Sequence, residues 1–276
     1  MKSLGDMVRR SHPSLFWCTR GMPRADREAI YTLSAFCRHL DNILRSPMKT
    51  HEKVDLLNAW KEELDNIYDK KVPATNIGRK IYKNSVRFDL PKSMWLQILD
   101  GAYLDARHPL QAPTEDVFEK YVVGMAVVPL HLTLMITAPE HPRANQELAK
   151  NLGWATAITY MLRDIKSDAK RNRMYLPAQV LRESGVTIGT PREMLEDKNL
   201  ITARAELAKQ VAGFYGKAER LLAKMDKGNT KPLRLLMNTA RSLFDEMNTR
   251  GWEVISPKPN LSIMKRLNIL YKTMFK

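Results

Sequence analysis

Only two cysteines, Cys18 and Cys37, occur in the 276 residues. They are too few for a disulfide scaffold or a thiolate zinc site, and they suit a reducing compartment. Glycine is scarce, at 12 residues, and neither a glycine-rich phosphate loop nor a nicotinamide-binding fingerprint is present. Strand signals are nearly absent, with no sustained alternation of β-branched and polar residues and no Asn-Gly or Asp-Gly hairpin. The N-terminal stretch is charged and has no apolar segment of signal-peptide length, so a cytoplasmic location is expected. The longest apolar run, Val122 to Thr137, contains Gly124, Pro129 and His131. It is shorter than the roughly 20 apolar residues a membrane-spanning helix needs, and it reads as a buried helix.

Acidic residues are also in short supply. Lys plus Arg number 45 against 30 Asp plus Glu, a formal charge of +15. Such an excess points to anionic partners: nucleic acid, anionic lipid or phosphorylated small molecules. No recognised nucleic-acid module accompanies it, and the basic residues are spread along the chain, so nucleic acid is not the expected partner. Trp17 and Trp95 fit a helical core better than base-stacking platforms. His131, alone on an apolar helix without metal-ligand spacing around it, reads as a core residue.

What the chain has in abundance is helical periodicity. After Pro23 the apolar residues Ile30, Leu33, Ala35, Phe36, Leu40 and Leu44 recur every three to four positions, as on a half-buried helix. Comparable patterns cover about 52–69, 76–87, 91–105, 115–137, 143–169, 200–225, 230–249 and 261–274, punctuated by prolines. Residues 170–200 lack a clear period and read as a loop or a set of short helices. The prediction is an all-α protein with one domain over residues 1–276.

Chemistry enters with Asp164 and Asp168 in YMLRDIKSDAKRNRMYLP. Four residues apart on a helix, the carboxylates stack one turn apart, close enough to share a divalent cation. Ala157, Tyr160 and Met161 precede them on roughly the same side, and Lys170, Arg171 and Arg173 follow. Acids for a hard cation beside a basic cluster suit a metal-bridged diphosphate, whereas local ion pairs with Arg163, Lys166 or Arg171 are the plainer reading. In FCRHLDNILRS the residues Arg38, Asp41 and Arg45 share one face of a helix that is otherwise apolar. Charges on such a helix are either paired or used.

Together these segments resemble the squalene and phytoene synthases. SLFWCTRGMPRADREAIYTLSAFCRHLDNI is similar to the family's opening pattern, and RFDLP, the helix ILDGAYLD ending at Asp105, Tyr121 and LRDIKSDAKRNRMYLP follow in the family's order. The likeness runs from about Ser14 to Val186 and is nearest to the hopanoid-pathway synthases that make presqualene diphosphate. It implies an isoprenoid-synthase helical bundle around a central apolar cavity, in which two farnesyl diphosphates join head to head, with magnesium, or manganese in its place, bridging carboxylate and diphosphate. Carried over, Asp41, Asp164 and Asp168 are the metal ligands and act with Tyr121 as the catalytic set. Arg20, Arg38, Arg45, Arg163, Arg171, Arg173 and Tyr175 hold diphosphate, while Phe16, Ala157 and Tyr160 line the cavity. No site for NADPH is evident, so the expected product is a diphosphate intermediate or its hydrolysed form rather than reduced squalene. Phytoene synthesis from geranylgeranyl diphosphate is an alternative.

The sequence departs from the family in telling places. The first acidic motif reads Asp41, Asn42 and Arg45, so a cation replaces a ligand, although a guanidinium can itself grip a diphosphate oxygen. Ala157 and Tyr160 stand where Gln and Asn are usual, Ser167 replaces a glutamate and Tyr103 an acid. In VVGMAVVPL two small residues have become Val127 and Leu130, which would narrow the chamber. These losses leave open a catalytically impaired member that serves as an assembly or scaffold protein for a protein partner, as the complex I assembly factors of this family do. Residues 258–276 form a basic amphipathic segment that either lies on an anionic membrane, peripheral on its inner surface, or packs on the body with its basic face solvated.

Overall fold

The computed structural model describes residues 4–275, so Lys276 and the first three residues of the N-terminal stretch lie outside the described residues. Helices account for nearly all the order. They are α1 (Leu4–Ser11), α2 (Pro13–Cys18), α3 (Arg24–Arg45), α4 (Thr50–Asp65), α5 (Asn76–Phe88), α6 (Lys92–Arg107), α7 (Glu115–Val122) and α8 (Val128–Thr137). The chain continues through α9 (Pro142–Ala169), α10 (Ala178–Glu183), α11 (Pro191–Glu196), α12 (Leu200–Ala223), α13 (Lys231–Arg250) and α14 (Ile263–Phe275). No β-strand occurs among the described residues, only one isolated bridge between Gln111 and Met174. The stretch 170–200 holds two six-residue helices, α10 and α11, as its short apolar bursts allow.

The apolar periods become two main cores. In one, Phe36 of α3 meets Trp60 of α4 and Trp95 of α6 edge to face, at ring separations of 5.0 and 5.3 Å. Leu40, Leu57, Ile81 and Leu132 close around them. In the other, α9 lies along α12, with Leu152, Ala155 and Ile158 against a cluster that includes Leu207, Val211 and Tyr215. The Tyr215 hydroxyl shares a hydrogen bond of 3.0 Å with Thr159, so its buried oxygen is satisfied. A smaller cluster of Cys18, Leu235, Leu243, Leu261 and Ile269 joins α2, α13 and α14.

Between the two main cores runs the helical segment Glu115–Thr137, which widens into a π-helical turn at Val123–Val127 just before Pro129. Proline offers no N–H to the preceding turn, and the wider turn absorbs the irregularity. Contrary to the sequence expectation, this 23-residue run is long and apolar enough to span a membrane on those two counts. It nevertheless packs against α6 and α9, and its Tyr121, Met125, Ala126, Pro129 and Leu130 line a cavity. Close packing here depends on glycine. A β-carbon on Gly124 would sit 2.5 Å from the Gln97 carbonyl oxygen and 2.9 Å from the Gly101 Cα, and one on Gly153 would sit 2.7 Å from the Val127 side chain. The bulk of Val127 is therefore absorbed by a glycine on α9, and the helices still approach closely.

Burial agrees with most, though not all, of the sequence reading. Trp95 is enclosed, whereas Trp17 is 51% exposed on α2, so only one of the two tryptophans belongs to a core. Both thiols are held protonated, burial pushing Cys18 and Cys37 up to about 12. His131 is half-buried, and desolvation lowers its pKa and favours the neutral ring.

Candidate active site

The cavity enclosed by α3, α6, the π turn, α8 and α9 has a volume of about 340 Å³. Apolar side chains floor it: Met125, Pro129, Leu130 and Met161, with Leu236 reaching in from α13. Its polar wall comes chiefly from α9. Helical spacing places Tyr160, Asp164 and Asp168 on one inward stripe, four residues apart, and all three line the cavity.

Each α9 carboxylate has a cationic partner. Arg163 donates to Asp164 through Nε at 2.8 Å and Nη2 at 2.7 Å, while Lys258 Nζ lies 2.5 Å from Asp164 Oδ1. Burial pushes the Asp164 carboxyl up, but Arg163 and Lys258 outweigh it and hold the pKa below the usual range. Asp168 receives Arg171 Nη2 at 2.5 Å. There burial wins over that partner, the charge of Asp164 adds to it, and the pKa rises. One turn of helix therefore carries two carboxylates shifted in opposite directions.

Across the cavity, α3 offers Asp41 and Arg45. Arg45 Nε donates to Asp41 Oδ1 at 2.5 Å, and the field of Asp168 also acts on the guanidinium. The side chains of Asp41 and Arg45 are 36% and 52% exposed, against 8% for Asp168. Deeper in the polar lining is a lock that joins Arg173 and Tyr175 to Asp105, an acid to which the sequence reading gave no role. Asp105, at the end of α6, accepts from Arg173 Nε at 2.8 and 3.0 Å and from the Tyr175 hydroxyl at 2.9 Å. Arg173 Nη2 also donates to the Leu44 carbonyl at 3.3 Å, which ties the end of α3 to α6 and to the segment after α9. Tyr121 stacks on Tyr175 at 5.2 Å, and burial keeps both phenols protonated.

Thus Asp41, Arg45, Tyr121, Ala157, Tyr160, Asp164, Asp168, Arg171, Arg173 and Tyr175 converge on one cavity. Four expected residues do not line it. Arg20 lies exposed over the Phe16 ring at 5.6 Å, and Phe16 itself stacks on Tyr31 at 6.3 Å. Arg38 is exposed and acts on His12. Arg163 lies behind Asp164, its guanidinium 4.6 Å from the centre of the Tyr160 ring. Arg173 and Tyr175, expected on diphosphate, are engaged by Asp105. Conversely, Asp105 lines the cavity, and Lys258, like Arg163, pairs with Asp164 from outside the lining. The first carries a readable signal, an acid at the end of an apolar helix; Lys258, in the irregular link before α14, carries none.

The squalene/phytoene synthase profile matches residues 8–266, nearly the whole chain. The chain belongs to the squalene/phytoene synthase family. Curated relatives include presqualene diphosphate synthases from Zymomonas mobilis, 27% identical over 85% of this chain and 79% of that protein, and from Rhodopseudomonas palustris, 27% identical over 93% and 91%. Among solved structures, a dehydrosqualene synthase in complex with ligand superposes with a TM-score of 0.82 at 20% identity, covering 98% of this chain and 93% of that one. The architecture is that of the squalene synthases, an all-α terpenoid-synthase fold, and the family's members are head-to-head prenyltransferases.

For a squalene/phytoene synthase the question of metal follows. Among the described residues no three His, Cys, Asp or Glu side chains gather into a self-sufficient metal cluster, so Asp41 does not join Asp164 and Asp168 in one protein-only site. That donor set still fits magnesium, which is held by one or two carboxylates with substrate phosphate and water completing the shell. Asp164 and Asp168 fulfil the first requirement, facing the cavity one turn apart.

Proposed function

We propose that the chain is a magnesium-dependent synthase that joins two farnesyl diphosphates head to head into presqualene diphosphate. The observation that carries this reading is the pairing of Asp164 and Asp168 on α9 in the wall of a largely apolar cavity that Arg45 also lines. The two relatives at 27% identity bear the corresponding name. In the reaction the allylic C–O bond of one substrate breaks and its electron pair leaves with pyrophosphate. The cation then alkylates the double bond of the second substrate, and one proton is lost as the cyclopropane ring closes.

The chain's own groups divide this work. Arg171 and Arg45 flank the carboxylates and meet diphosphate oxygens as guanidinium forks, and Lys258 adds a point charge beside Asp164. Asp164 and Asp168 would hold magnesium, whose charge stabilises the departing pyrophosphate. Met125, Pro129, Leu130 and Met161 exclude water from the cationic carbon. The Tyr160 ring, already 4.6 Å from one cation in Arg163, offers its face to a carbocation. Tyr121 and Tyr175 stay protonated, and they serve as donors and lining rather than as bases.

The test is incubation of the purified protein with radiolabelled farnesyl or geranylgeranyl diphosphate and magnesium, alongside Asp164→Asn. Conversion of the C15 substrate to a cyclopropyl diphosphate, with turnover in Asp164→Asn down about 10²-fold or more, is expected for a lost charge at the leaving group. Conversion only of the C20 substrate would assign phytoene synthesis. No turnover of either substrate, together with stable capture of one protein partner, would assign the scaffold role.

A further inference from the structure

Helix α14 turns its smaller side chains inward and its larger apolar ones outward. Ile269 and Thr273, four residues apart, are its buried positions, and they seat it on α13 and α2 next to Leu235, Leu243 and Cys18. The larger apolar residues point outward. Ile263, Met264, Leu267, Tyr271 and Phe275 are between 55% and 76% exposed. At 100° per residue they fall within one arc of about a third of the helix, opposite Ile269 and Thr273. A contiguous apolar ridge left in water marks an interaction surface.

Charge says what that surface meets. No Asp or Glu follows Glu253, whereas Lys258, Lys265, Arg266 and Lys272 do; Lys258 pairs with Asp164, while Lys265, 3.8 Å from Glu246 of α13, and Lys272 run along one edge of the ridge. Trp17, on the neighbouring α2, is half exposed, an amphipathic ring of the kind that sits at headgroup level. Two copies of the face brought together by two-fold symmetry would oppose like charges, in a chain that already carries +15. An anionic bilayer meets both features at once, the apolar ridge entering the acyl boundary and the lysines pairing with headgroups.

We propose that α14 is a membrane-docking surface that holds the protein on anionic lipid bilayers through Ile263, Leu267, Tyr271 and Phe275, with Lys265 and Lys272 selecting anionic headgroups. The proposal stands apart from the chemistry of the cavity. It is tested by flotation of the full chain with phosphatidylcholine vesicles and with vesicles containing phosphatidylglycerol. Two variants are compared with the wild type: Ile263→Ser/Leu267→Ser/Phe275→Ser, and Lys265→Gln/Lys272→Gln. All five positions are exposed, so helicity and melting temperature should stay at the wild-type values, and pyrophosphate binding at the cavity should not change.

The wild type is expected to float with the anionic vesicles. The apolar variant should bind them at least about tenfold more weakly, and the lysine variant should lose about tenfold of the preference for anionic over neutral lipid. Failure of the wild type to float overturns the proposal, as does equal flotation by the wild type and the apolar variant. A wild-type dimer in light scattering that the apolar variant converts to monomer would also overturn it, by assigning the ridge to a second copy.

Discussion

The two walls of the cavity carry the same kinds of charge and use them differently. On α9 the acids sit deep, with side-chain exposures of 13% for Asp164 and 8% for Asp168, and their partners come from the same helix, from just after it and from the link before α14. On α3 the acid sits near solvent in the next-to-last turn, and its partner is Arg45, four residues on in the same helix. An exposed pair of that kind contributes little to stability, because water and salt screen it. A carboxylate in the α9 wall feels both burial and its neighbours, and there a change of charge alters stability and binding together. On the proposed function the buried carboxylates of the α9 wall would take the cation and Arg45 of the α3 wall the anion.

Three measurements would break or sharpen that contrast, beginning with the largest effect. Magnesium-dependent binding of pyrophosphate, followed by calorimetry, should weaken by about 10²-fold in Asp168→Asn and by no more than about tenfold in Asp41→Asn. Equal losses would show that the walls share the metal evenly. Next comes the lock beneath the site. Asp105→Asn should cost about 3–5 kcal/mol in urea unfolding, because it leaves the buried Arg173 guanidinium without its counter-ion. Asp41→Asn should cost under about 1 kcal/mol. A small loss in Asp105→Asn would mean that Arg173 finds another partner.

The smallest effect is one of pH. In the metal-free protein, carboxyl-carbon NMR should find Asp168 titrating above, and Asp164 below, the ordinary aspartate range. The signs of the stability contributions follow. The depressed pKa of Asp164 stabilises the fold above the unfolded-state value, and that contribution fades as pH falls through its folded value. The raised pKa of Asp168 works against the fold at neutral pH, and the penalty is relieved as pH drops below it. Asp164→Asn should therefore flatten the acid limb of the stability profile, whereas Asp168→Asn should raise stability at neutral pH relative to acid.

Much of the site was legible before any coordinates because helical geometry is a local rule. Asp164, Asp168 and Tyr160 share a stripe by spacing alone, and so do Asp41 and Arg45. The misplaced residues share a different cause. Phe16 and Arg38 lie on helices, and Arg20 in the turn after α2, whose placement about the cavity depends on long-range packing, which no local period encodes. Arg163 shows the limit within a single helix, since one residue's rotation takes it from the cavity to the back of Asp164. Lys258 was invisible for another reason: it sits in irregular chain and reaches Asp164 from 94 positions away, as 258 minus 164 gives.

The sequence by itself determined the long helices from α3 onward, their boundaries to within a few residues, the acidic stripe and the amphipathic character of the last helix, because each follows from a repeat of three to four residues along one segment; the short α1, α2, α10 and α11 were not among them. Tertiary structure alone decided that Asp105 engages Arg173, that Gly153 makes room for Val127, and that α14 turns its larger apolar face outward. Those outcomes depend on which segments come to lie side by side, and that is a property of the packed chain rather than of any stretch within it.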